Sequence, residues 1–135
     1  MPYCTLDDLI ERFGENELLD LVPDSTGAVI DQSVVDKAIE DASGEIDGFV
    51  SAGGYPVPMD PVPRIVTAYC TDIARYRLYD NRATDQVTKR YDDAVKFLRS
   101  VASGQVKLGT RVPTESSVGD AQFDTGRRTF NGGGF

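Results

Sequence analysis

Histidine is missing from all 135 residues. The commonest general base and the usual nitrogen ligand of zinc are therefore both absent. Cysteine is nearly as scarce: Cys4 and Cys70 are too few for a disulfide framework and form no CxxC motif. Cys70, inside a helical pattern, reads as a small core residue. No apolar run approaches the roughly 20 residues needed to cross a bilayer. MPYCTLDDLIERF has no basic segment followed by an apolar block, so no signal peptide is expected and the protein should stay where it is made. The glycines of SAGGYP and NGGGF lack the spacing of a phosphate-binding loop, and PDSTGAVID lacks that of a calcium-binding hand. Ser25 sits beside Asp24 with no histidine or lysine placed to act as base. The adjacent pairs Asp7–Asp8 and Asp92–Asp93 point to different sides of a helix and cannot converge as a dyad. No nucleophile, base and orienting group can be assembled, so neither enzyme activity nor a cofactor or metal site is expected.

What is present is a set of apolar stripes at helical spacing. Apolar content of 40% and charged content of 27% suit a single globular domain. In TLDDLIERFG, Thr5 is placed to cap a helix with Asp8 at the capping-box position; Leu6, Leu9, Ile10 and Phe13 share one face, and Gly14 ends the run. ENELLDLV extends it by a turn or two, and PDSTG is a polar turn. A second helix begins at Asp31 or Ser33 and stops at Gly53–Gly54, with Val35, Ala38, Ile39, Ala42, Ile46, Phe49 and Val50 on its buried face. Gly44 and Gly48, one turn apart, suggest that another backbone approaches closely there. The prolines of YPVPMDPVP break the helix. A third helix follows over 62–79, striped by Val62, Ile65, Val66, Tyr69, Ile73 and Tyr76. DNRATD is a break, capped by Thr84 or Asn81, before a fourth helix to about Ser103. Its face carries Val87, Tyr91, Ala94, Val95, Leu98, Val101 and Ala102. The expected fold is all-α: a small bundle of three long helices plus a short N-terminal helix over 1–109, with an extended, flexible tail over 110–135. Ile73, Tyr76, Tyr91, Val95 and Leu98 are expected to form its core seam.

Charge is unevenly spread. Residues 1–60 hold fourteen acids and two bases, whereas residues 61–110 hold nine bases and five acids, within a net charge of −8. Such unlike halves can neutralise each other within the fold or between neighbouring copies. DIARYRLYDNRATDQVTKRYDDA crowds tyrosines among basic residues, but a nucleic-acid stacking surface needs a dominant positive field that this chain lacks. Arg75, Arg77, Arg82 and Arg90 are better placed to meet carboxylates, or carbonyls at the third helix's C-terminus. Asp72 and Tyr76 could share one face. The tail cannot bury enough apolar surface to order itself, yet it carries Phe123, Phe130 and Phe135 with Arg127 and Arg128, a composition suited to ordering on a partner.

EIDGFVSAGGYPVP, followed by CTDIARYRLYDNRATDQVTKRYDDAVKFLRSVASGQVKLG, resembles the Mu-like phage protein family, whose members are similar to head–tail connector (adaptor) proteins of tailed phages. The likeness covers about residues 3–110, and the ending RRTFNGGGF is broadly similar to the family's short C-terminal tail, although its glycine run departs from more polar relatives. The resemblance implies a subunit of a ring, dodecameric, set between portal and tail-completion or tail-terminator proteins, with DNA passing through its lumen without specific binding. It implies a virion location and brings no catalytic residues, cofactor or membrane contact. Arg82, Arg90, Phe123, Arg127, Arg128, Phe130 and Phe135 are the candidate partner contacts. A small helical protein-binding module or assembly chaperone, not retained in the virion, is the alternative.

Overall fold

Three of the helices start where a short polar side chain takes up a free backbone N–H. The computed structural model describes residues 2–108; the tail, with its candidate contacts Phe123, Arg127, Arg128, Phe130 and Phe135, lies outside them. Thr5 and Asp8 form the reciprocal capping box, Thr5 Oγ1 accepting from the Asp8 N–H and Asp8 Oδ2 from the Thr5 N–H. They open α1, Leu6–Phe13. Gly14, at φ 95, turns the chain directly into α2, Glu15–Leu21. The acidic turn that follows is closed by Asp24, whose side chain accepts from Thr26 and Gly27. Asp31 caps α3, Gln32–Ala52, through the Ser33 N–H. The proline-rich stretch ends at Pro63, which precedes α4, Arg64–Tyr79. A single 3-10 turn, Asp80–Arg82, leads to Thr84, which caps α5, Asp85–Ala102, through the Val87 N–H.

The fold is the expected all-α bundle. The long helices α3, α4 and α5 pack against one another, and α1 lies against α3 and α4. Leu9, Leu18, Ile46, Val50, Ile73, Leu98 and Val101 are among the side chains wholly removed from water. Burial of this kind contributes roughly 1.5–3 kcal/mol for each large aliphatic residue. Helix α4 is the central rod, and its enclosed arc is wider than an amphipathic stripe: Thr71, Asp72 and Arg75 are buried along with Val66, Cys70, Ile73, Ala74 and Leu78. Thr71 and Arg75 find their partners on α1 and α2. The Arg12 guanidinium donates to Thr71 Oγ1 and to the Ala68 carbonyl, both at 2.7 Å. Arg75 lies over the Phe13 ring at 4.1 Å and donates twice to Glu17, at 2.7 and 3.1 Å.

Two expectations need correcting. Ile65, placed on the α4 stripe, is 42% exposed, because the buried arc is centred on Val66, Cys70, Ile73 and Ala74 and reaches Leu78 instead. Gly44 and Gly48 are not points of close approach: a Cβ at either would meet nothing within 4 Å, since both lie on the outward face of α3. The close approach is at Gly53, where a Cβ would come within 2.5 Å of the Val101 carbonyl oxygen. There the end of α3 meets the end of α5. The bundle is also plugged by residues outside its helices. Tyr3, Cys4, Tyr55, Met59 and Leu108 are all buried. Tyr55 Oη accepts from the Leu108 N–H at 3.0 Å, tying the chain after α5 to the chain after α3.

Candidate functional site

The five residues expected to form the seam divide by depth. Ile73 and Leu98 are fully enclosed, while Tyr76, Tyr91 and Val95 are half-buried. The two tyrosines stack, ring centres 4.1 Å apart and planes 10° from parallel. Their polar edge is organised by α3: Glu45 accepts from Arg77 at 2.6 Å and from the Tyr91 hydroxyl at 2.9 Å. Burial and the Glu45 hydrogen bond both push the Tyr91 phenol upward from its ordinary pKa. One carboxylate thus joins α3, α4 and α5. Asp72 and Tyr76 do not share a hydrogen bond; Asp72 faces the basic side chains instead.

Beside this knot runs a groove of about 640 Å³. Val34, Ala38, Tyr76 and Leu78 form its apolar lining, and Asp41 and Asp80 flank it. Val34 is 44% exposed.

Asp72 is the least comfortable charge among the described residues. Its Oδ1 is buried without a hydrogen-bond partner, 3.8 Å from Arg12 and 3.7 Å from Arg90. Desolvation raises its pKa, opposed by the guanidinium groups of Arg12, Arg90 and Arg75. Arg90, a candidate partner contact, is therefore half-buried over Asp72, beside a shallow pocket that Tyr69, Gln86 and Lys89 also line. Arg82, the other candidate within the described residues, is exposed on the turn after α4 and forms no ion pair among them.

Part of the charge split is neutralised inside the fold, by Arg75 with Glu17 and Arg77 with Glu45. Apart from Asp72 with Arg12 and Arg90, much of the rest faces outward. Asp36, Glu40 and Asp41 are exposed on α3, whereas Arg64, Arg82, Lys89, Lys96, Arg99 and Lys107 are exposed from α4 onward. Asp85, Asp92 and Asp93 interrupt the basic side along the first half of α5. Among the described residues no group of three histidine, cysteine, aspartate or glutamate side chains is placed to hold a metal ion. No described helix is long and apolar enough to cross a membrane.

A compact helical domain with unlike charged stretches is a class defined by surfaces more than by a pocket. Residues 3–124 match the family described as Bacteriophage Mu, Gp36, and the chain belongs to that family. It is similar to the Mu-like prophage FluMu protein gp36 of Haemophilus influenzae, with 38% identity over 107 residues, covering 79% of this chain and 75% of the relative. It is also similar to gene product J of Escherichia phage Mu, with 31% identity over 118 residues, covering 87% and 83% respectively. The resemblance drawn from the DIARYRLY and RYDDA segments therefore holds at the level of the family, and the setting is a bacteriophage.

Proposed function

We propose that this chain is a structural, non-enzymatic subunit of the head–tail junction of a tailed phage. In this reading, copies join in a dodecameric ring between the portal and a tail-completion or tail-terminator protein. DNA crosses the lumen without specific binding. The protein occupies the host cytoplasm during assembly and the virion afterwards. Family membership supports the phage setting. The observation that carries the connector reading is the division of exposed charge, acidic along α3 and largely basic from α4 onward. A closed ring is built from unlike patches, each copy presenting one surface to the next and the other to the copy before. Complementary charge orients such an encounter and speeds it.

Arg82 and Arg90 are the proposed contacts within the described residues, and Phe123, Arg127, Arg128, Phe130 and Phe135 those beyond them. Deleting residues 111–135 should leave melting of the bundle unchanged, since the core is closed by Leu108, and should reduce incorporation into particles. A truncated protein that is incorporated as well as the full chain would remove the tail from the contact. Mass spectrometry of purified virions tests the reading as a whole. The chain should be present at a fixed ratio to portal protein. Its absence from infectious particles would instead favour an assembly factor.

A further inference from the structure

Under the segment leading into α1 lies a chemical pair that the assembly reading does not use. Cys4 and Cys70 stand 66 positions apart in sequence, yet their sulfurs are 3.0 Å apart, and both residues are buried free thiols. A disulfide bond measures about 2.05 Å, so the sulfurs need only about 1 Å of further approach. Their closeness follows from how Tyr3 is pinned. Its backbone N–H donates to Ser43 Oγ on α3 at 3.0 Å, and its phenol donates to Asp47 and accepts from the Met59 N–H at 2.9 Å. Burial and the Asp47 bond push that phenol up to about 12, so it stays a donor throughout the physiological range. Thr5, on the other side of Cys4, is fixed by the α1 capping box. Cys4 is thus held from both sides over α4, against Cys70.

We propose that Cys4 and Cys70 form a latent intramolecular disulfide, a covalent modification site that clamps residues 2–5 onto α4 when the protein meets a low-molecular-weight disulfide. Both sulfurs are enclosed, so capture requires residues 2–5 to lift, a local opening of a short segment. The exposed Cys4 thiolate, its proton lost to solvent, attacks one sulfur of glutathione disulfide. A Cys4–glutathione mixed disulfide forms and one glutathione thiolate leaves. As the segment closes, the Cys70 thiolate, its proton likewise lost, attacks the Cys4 sulfur and expels the second glutathione thiolate. Two protein thiols are oxidised, one external disulfide is reduced to two thiols, and the departing thiolates take up the two protons. Cys70 suits the second role because it stays fixed on α4, with Ser43 Oγ 3.7 Å from its sulfur, while Cys4 carries the glutathione back towards it. The proposal is independent of ring assembly.

The test uses the full chain, purified with its thiols reduced and equilibrated in a glutathione redox buffer, once under native conditions and once in denaturant. Trapping by alkylation and peptide mapping should give a Cys4–Cys70 linkage within one chain. The ratio of linked to reduced protein should be more than tenfold higher in the native sample. The linked form should melt at a higher temperature and return to the original melting curve on reduction. Equal ratios in the two samples would overturn the proposal, because the fold would then do nothing to favour the bond. Two persistently free thiols, a stable mixed disulfide at Cys4 or a linkage between chains would overturn it as well. Cys4→Ser should abolish the linkage in either sample; a linked product from that variant would refute the assignment.

Discussion

Leu98 and Tyr76 sit at different depths in one bundle, and truncation should separate them. Leu98 is wholly enclosed, so Leu98→Ala should cost roughly 2–5 kcal/mol. Tyr76 is half-buried and stacked on Tyr91, so Tyr76→Ala should cost less, on the order of 1 kcal/mol from the lost stacking with a smaller burial contribution. Denaturant titration of both variants measures the difference, and equal losses would contradict the depths assigned. Asp72 offers a second prediction. Its folded pKa is raised above the ordinary carboxyl value, with desolvation as the leading cause, so its contribution to stability is fully present in acid. That contribution is lost as pH rises through the raised pKa. Asp72→Asn, which mimics the protonated acid, should therefore raise the melting temperature at neutral pH and lose that advantage below the ordinary carboxyl range. A variant less stable at neutral pH would show that Arg12 and Arg90 outweigh the cost of burial. The enclosure of Leu98 and Ile73 was legible from spacing. The surroundings of Asp72 were not, because Arg12 and Arg90 reach it from other helices. The Cys4–Cys70 contact was hidden for the same reason, being made across 66 positions.

At the scale of elements, local chemistry was the most readable. Thr5 with Asp8, Asp31 and Thr84 each cap the helix they precede, and Pro63 stands immediately before α4. Capping depends on neighbours three residues apart, which a sequence displays directly. The face an element turns inward depends on how many partners surround it. Helix α4 has α3, α5 and α1 around it, so its buried arc spread past the expected stripe, leaving Ile65 outside and taking in Leu78. The glycines of α3 show the same limit, since periodicity cannot tell an outward glycine from one pressed against a carbonyl. Gly44→Ala should stabilise by about 1 kcal/mol through helix propensity, because its new methyl meets open space. Gly53→Ala should destabilise, because its methyl would press on the Val101 carbonyl and part the ends of α3 and α5. Thermal melting of the two variants checks the signs, and matching shifts would contradict the packing described at Gly53.

For the whole molecule, the unequal halves seen in composition proved partly internal and partly external. Glu17 and Glu45 are taken up by arginines of α4, while Asp36, Glu40 and Asp41 stay in solvent on α3. Sequence counting could register the imbalance but not this partition, which depends on which helices pack together. The outward remainder supports the proposed ring, and association resting on it should weaken as salt rises, since exposed charges are screened over about 8–10 Å at ordinary ionic strength. Zero-length carboxylate–amine crosslinking of particles assembled from mixed heavy- and light-isotope chains tests the ring most directly. The connector reading predicts heavy–light pairs that join Glu40 or Asp41 of one copy to Lys96 or Lys107 of the next. Particles that contain the protein but yield only same-isotope linkages would contradict it.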